Sequence, residues 1–225
     1  VAELLANLRL QQTIALAFSL GLSIAVRDLR TICCAALCLL PHLAVVLPHV
    51  AVNGSASSQL IDPIHVMSVN VSTKNRSFDL ISDEIRRVDP DLVAVIEMSN
   101  DLHDHLTETL VDRFPHSVNR AQDWGNFGIG IFSKAPLTKV EVFQLNEDIQ
   151  SIEVQCRGCR VIATHPLPPM GRRMFQSRNE HLRRLADRIE QSLVDDPQIP
   201  IITLGDFNVT PWSPHFRDFE SRSGL

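Results

Sequence analysis

The chain has 225 residues, 44% hydrophobic and 21% charged, with a net charge of -5. This composition excludes a disordered chain and fits one globular domain with an accessory segment. Residues 1–52 carry only Glu3, Arg9, Arg27, Asp28 and Arg30, so the acidic excess lies in the remainder and weighs against a protein that grips long nucleic acids through a basic face.

The first elements are apolar. Residues 32–52 hold no formal charge and are long enough to span a hydrocarbon core. Residues 10–26 give a second, shorter candidate. The alternative is a pair of buried helices in a soluble protein, but neither run shows a polar stripe. Two adjacent apolar runs also fit a signal peptide poorly, and the chain begins with Val1. The expectation is two transmembrane helices over 1–52, a linker over 53–62 and a globular domain over 63–225. Arg27 and Arg30 between the runs predict a cytoplasmic turn, which places the domain outside the cytoplasm of a multi-pass cell-membrane protein. Asn53-Gly54-Ser55-Ala56-Ser57-Ser58 reads as flexible. Cys33, Cys34 and Cys38 read as small packing residues.

From residue 64 short apolar runs alternate with helical spacing, the pattern of an α/β domain. Strands are expected at 64–70, 92–97, 128–133, 151–156, 159–164 and through IITLGDFN from residue 201. Phe78, Ile81, Ile85 and Val88 mark a helix ended by Asp89-Pro90; Leu102, Leu106 and Leu110 mark another. A long amphipathic helix covers 172–194. Its Arg172, Arg173, Arg178, Arg183, Arg184 and Arg188 read as a solvated face paired with Glu180, Asp187 and Glu190, with an anion-binding patch as the alternative. Cys156 and Cys159 flank Arg157-Gly158, a two-residue hairpin turn. A lone CxxC is weak support for zinc, so free or disulfide-linked thiols without a catalytic role are expected.

Several apolar strands run directly into a polar residue. Asn70, Glu97, His165, and Asp206 with Asn208 each follow or end such a strand. A carboxylate at the tip of a buried strand needs a partner, so these residues are expected to share one site. Asp206 and Asn208, two apart in extended backbone, point to one side, and Gly205 permits close backbone approach. Glu97 and Asp206 offer hard oxygens suited to Mg²⁺ or Mn²⁺. His165, stiffened by Pro166-Leu167-Pro168-Pro169, can donate to a phosphate oxygen or protonate a leaving group. Asn126 and Trp212 are candidate substrate contacts; solvation and loop packing are the respective alternatives. Lys134 could reach a phosphate from a strand edge.

Ser68-Val69-Asn70-Val71, Pro90 to Glu97 (PDLVAVIE), Gly125-Asn126-Phe127-Gly128-Ile129, Ser133-Lys134-Ala135-Pro136-Leu137, His165 to Pro169 and Gly205-Asp206-Phe207-Asn208 occur in an order that resembles the endonuclease/exonuclease/phosphatase superfamily, the deoxyribonuclease-I-like fold. HPLPP, GDFNVTPWSP and the apolar N-terminal runs are similar to a bacterial membrane-bound branch that includes the teicoplanin-resistance membrane protein. The resemblance implies a two-sheet α/β sandwich with helices on both outer faces. It implies that Asn70 and Glu97 help hold a catalytic Mg²⁺ or Mn²⁺. Asp206 and Asn208 would orient the attacking water and the scissile phosphate, and His165 would assist the phosphate or leaving group. Ile96 stands where many members have Gln. No Asp-His pair follows Gly205, and His215 sits too close to GDFN to replace it. The expectation is a chain truncated at its C-terminus, incomplete in its sheets and inactive as it stands, with the complete protein an Mg²⁺-dependent hydrolase. The partners implied are the bilayer and a phosphorylated substrate, either a lipid-linked pyrophosphate or a nucleic acid; nothing points to a protein partner. The competing expectation is a degenerate membrane-bound fragment that binds without turnover.

Overall fold

The computed structural model describes residues 7–50 and 63–225. The expected linker at 53–62 lies outside the described residues. The described residues fall into two compact units: the N-terminal helices with Val209–Asp218, and the remainder through Asn208 with Phe219–Leu225.

In the first unit α1 (Arg9–Ala25) and α2 (Leu29–Val50) follow one another in sequence. The 17 residues of α1 rise only about 26 Å, short of a hydrocarbon core of about 30 Å. The 22-residue α2 is long enough, and its stretch Leu29–His49 is the one helix among the described residues with the length and composition to cross a membrane. Of the two expected spans, then, one has structural support, and a multi-pass topology has none. Apolar side chains on both helices face outward, among them Ile14, Phe18 and Leu22 on α1 and Leu37, Leu40 and Leu47 on α2. Cys33, Cys34 and Cys38 are exposed on α2, not packed inside as their apolar surroundings suggested.

The second unit is a two-sheet sandwich. One sheet has β1 (Val66–Asn70), β2 (Leu92–Ile96), β3 (His116–Arg120) and β4 (Ile129–Ser133) in the order β1-β2-β4-β3. The other runs β5-β6-β7-β8 from β5 (Thr138–Gln144), β6 (Gln150–Cys156), β7 (Cys159–Thr164) and β8 (Ile201–Gly205). Alternation builds the core. Leu92, Ala94 and Ile96 of β2 point inward with Ile129 and Ile131, against Ile152, Val154, Val161 and Ala163 of the facing sheet. Val93 and Val95 point the other way, onto α3 (Phe78–Val88) and α4 (Asn100–Leu110), whose Ile81, Ile85, Leu102, Leu106 and Leu110 cover that face. With both faces covered, β2 reads as a continuous apolar run. The helix α5 (Gly171–Asp195) covers the outer face of the second sheet; Thr164 of β7 bonds to its His181, and Glu153 of β6 to its Arg188. Phe219, on α6 (Pro214–Ser223), stacks obliquely on Phe207.

Strand pairing sets the levels at which side chains leave the sheets. Arg157 and Gly158, at φ +48° and +78°, close the β6–β7 hairpin as a primed turn, with Cys156 opposite Cys159. Both cysteines are buried and free. The pairs β1–β2 and β7–β8 are parallel, with Asn70 level with Ile96 and Thr164 level with Gly205. The residues that end these four strands therefore emerge at common levels within each sheet.

Candidate active site

Glu97 directly follows Ile96, so it stands beside Asn70; His165 directly follows Thr164, so it stands beside Asp206. Asn70 joins the two sheets at this end. Its Nδ2 donates to Glu97 Oε1 at 2.8 Å and to Asp206 Oδ2 at 3.2 Å. Its Oδ1 is oriented by the Ser72 amide at 3.2 Å. The second Asp206 oxygen accepts from the Asn208 amide at 2.9 Å, and Asn208 Nδ2 donates to the Pro166 carbonyl at 2.9 Å. Glu97, Asn126, His165, Asp206 and Asn208 line one pocket of about 340 Å³ with Phe127, Leu167, Met170 and Met174. Five residues singled out from the sequence thus share a pocket, and a sixth, Asn70, binds two of them.

The backbone is under tension here. Glu97, Asn126 and Asn208 have φ of +61°, +62° and +51°, a region costly for side-chain-bearing residues. Gly205 must be glycine: at φ +141° a Cβ would lie 1.8 Å from the Thr164 carbonyl oxygen. The same holds for Gly128, where a Cβ would lie 1.9 Å from the Met98 carbonyl oxygen.

His165 is 4% exposed, and its Nδ1 is buried without a partner among the described residues. Burial pulls its pKa below the ordinary imidazole value, opposed by the carboxylates of Asp206 and Glu97. The ring is therefore neutral near pH 7 and can accept or donate at either nitrogen. Beneath it runs a buried polar chain of which the sequence gives no sign. Ser151 Oγ and Thr164 Oγ1 lie 2.7 Å apart, and Thr164 Oγ1 lies 2.7 Å from His181 Nε2. Burial, followed by the repulsion of His165, lowers the His181 pKa to about 4.

Arg178 departs from the expected solvated face of its helix: it is completely buried. Its Nη1 donates to the Asn208 carbonyl at 2.8 Å and its Nε to Asn179 Oδ1 at 2.8 Å. Its place on the buried stripe with His181, Leu182 and Leu185 is the signal that spacing along α5 could have given. The solvated reading holds for Arg183 and Arg184, which pair with Glu180. Arg188 instead crosses to Glu141 and Glu153. Lys134 is held by Asp89 at 2.8 Å and does not line the pocket. Trp212 belongs to the other unit, where its ring meets His49 edge-on.

Among the described residues no three His, Cys, Asp or Glu side chains are arranged so that together they could hold a metal ion. The group here is two carboxylates and an amide. That donor chemistry fits a hard divalent cation, which is often held by only one or two carboxylates with water and phosphate oxygens beside them. It does not fit zinc.

The endonuclease/exonuclease/phosphatase family matches residues 67–225. The chain belongs to that family. The family's general chemistry is hydrolysis of phosphoesters. Similar solved structures show the same fold. The catalytic domain of human Nocturnin with bound sulfate superposes with TM-score 0.58 at 18% identity, over 72% of this chain and 70% of that one. An AP endonuclease from Archaeoglobus fulgidus gives TM-score 0.57 at 16% identity, over 72% and 70%. A β-hairpin deletion mutant of β toxin from Staphylococcus aureus gives TM-score 0.55 at 20% identity, over 72% of each. No curated protein matches the sequence.

Proposed function

We propose that the chain carries a membrane-anchored, divalent-metal-dependent phosphoester hydrolase domain. The observation that carries this reading is the bridging, by Asn70, of Glu97 and Asp206, two carboxylates that line the His165 pocket. Asn70 and Glu97 would hold Mg²⁺ or Mn²⁺. When bound, the cation neutralises charge building on the phosphoryl oxygens. Asp206, fixed by the Asn208 amide, accepts a hydrogen bond from the attacking water and aligns it. Asn208 keeps one amide hydrogen on Pro166 and turns the other toward a phosphate oxygen. His165, neutral in its buried setting, hydrogen-bonds the phosphate or passes a proton to the leaving oxygen. Phe127 lies 5.4 Å from the His165 ring and limits water around it.

The anchor in this reading is α2, with a chain similar to the membrane-bound bacterial branch and a domain outside the cytoplasm, following Arg27 and Arg30. The hydrolase domain in this reading begins after residue 62 and includes the family match over residues 67–225, of which Val209–Asp218 groups with the N-terminal helices. A reporter fused at the C-terminus that glows only in the cytoplasm would contradict that orientation.

A second reading keeps the pocket but removes the turnover. It is favoured by the hydrogen bonds that Asn70 Nδ2 already makes to both carboxylates. The deciding experiment is hydrolysis of bis(p-nitrophenyl) phosphate by the full chain in nanodiscs, with and without Mg²⁺. The hydrolase reading expects Mg²⁺-dependent release of nitrophenol that Asp206→Ala abolishes. Release equal in chelator, or unaffected by Asp206→Ala, refutes it, and binding of Mn²⁺ without release supports the second.

A further inference from the structure

A second groove, of about 490 Å³, opens beside the pocket and shares Phe127, Leu167 and Met174 with it. Beyond the shared walls it is formed by Trp124 and Ile149 on the apolar side, and by Gln122, Gln144, Gln150 and Arg173. The two cavities are thus one continuous surface, with the polar cluster at one end. Trp124 is 75% exposed on the groove, and Met170, 68% exposed, lines the pocket. Two such large apolar side chains left open at one site mark a surface suited to an apolar ligand.

Charge separates the candidates. Glu147 and Asp148 line the groove, and its one cation among the described residues, Arg173, already pairs with Glu147 at 3.2 Å. The adjoining pocket holds Glu97 and Asp206 and, among the described residues, no lysine or arginine. A nucleic-acid strand, which brings a phosphate with every nucleotide, would meet acidic walls. An amphiphile with an uncharged apolar body brings charge only to the end where, on the hydrolase reading, a divalent cation would offset Glu97 and Asp206, and sets its body against Phe127, Trp124, Ile149 and Met174. In sequence, a dozen residues separate the end of α2, a helix apolar and long enough for a bilayer, from the start of this domain.

We infer that this groove seats the apolar body of a lipid phosphate or pyrophosphate ester whose phosphate lies against Asn70, Glu97 and His165. The inference rests on the hydrolase reading of the pocket and adds the substrate class.

Trp124 is its own probe. The chain has two tryptophans, so a Trp212→Phe chain in nanodiscs leaves Trp124 as the only emitter. With Mn²⁺ present, geranyl phosphate should shift Trp124 emission to the blue, saturably, while inorganic phosphate and a trithymidylate leave it in place. In calorimetry, Trp124→Ala should weaken geranyl phosphate binding about tenfold, the loss expected for an aromatic contact of this size. Absence of a shift, while Mn²⁺ still binds, overturns the groove assignment and leaves the hydrolase reading standing. An equal shift with trithymidylate overturns the lipid class in favour of nucleic acid. A shift with geraniol as large as with geranyl phosphate, together with no Mn²⁺ binding, removes the hydrolase reading and the inference with it.

Discussion

Glu97 occupies a left-handed conformation that a carboxylate-bearing residue adopts only when its surroundings insist. Thr73 Oγ1 holds its carbonyl at 3.1 Å, and the amide of the next residue, Met98, donates to the Gly128 carbonyl at 3.0 Å. Removing the side chain while keeping the backbone should separate strain from function. Glu97→Gly should be more stable than Glu97→Ala by about 1 kcal/mol in urea denaturation, because only glycine relaxes at this φ. Equal stability of the two would mean the backbone there is unstrained. The neighbouring histidines give a pH signature. The His181 pKa is depressed to about 4 in the fold and stands near 6.5 when unfolded. Protonation therefore favours the unfolded chain. The contribution is intact above pH 6.5 and is lost as pH falls toward 4; His165, also depressed, adds in the same direction. Between pH 7 and pH 5 the domain should lose about 2 kcal/mol from His181, and His181→Gln should flatten the profile. An unchanged slope in that variant would show that His181 is not held neutral by the fold.

Elements that bury a face are legible in their sequence; elements that do not are hidden. The strands β2, β4, β6, β7 and β8 and the helices α3, α4 and α5 follow apolar periodicity because a core enforces it. The strands β3 (HSVNR) and β5 (TKVEVFQ) lie at sheet edges with no fully buried residue, and β5 carries a bulge with Lys139 at φ +46°. Nothing in their composition separates them from loops, since an edge strand need only satisfy one neighbour. The gathering of the candidate residues was legible because parallel registers carry Asn70, Glu97, His165 and Asp206 to one end of the sandwich, and strand-end polarity survives in the sequence. The supports behind it were not. Arg178 looks like any helix arginine until α5 turns it inward onto the Asn208 carbonyl. Arg178→Ala should cost about 3 kcal/mol through an unsatisfied carbonyl and lost packing, measured by thermal unfolding. Gly205→Ala should cost more, because a Cβ would drive the end of β8 off the Thr164 carbonyl. Near-native stability of Gly205→Ala would show that the β7–β8 junction can yield.

At the scale of the molecule, the proposed function assigns an anchoring role to the apolar N-terminus and a hydrolytic one to the acidic sandwich. The outward Leu37, Leu40 and Leu47 of α2 should keep the chain in the membrane pellet through carbonate extraction, and Leu37→Arg with Leu40→Arg should release it, each charge costing about 3 kcal/mol at mid-bilayer. Release of the unmodified chain by carbonate would remove the anchor. The hydrolase reading turns on Asn70 and Glu97 forming a divalent-cation site. Mn²⁺ binding to the full chain in nanodiscs, followed by electron paramagnetic resonance, tests it without requiring turnover. The expected result is one bound Mn²⁺ per chain, lost in Glu97→Ala and weakened at least tenfold in Asn70→Ala. No bound Mn²⁺, or binding that survives both substitutions unchanged, would contradict it.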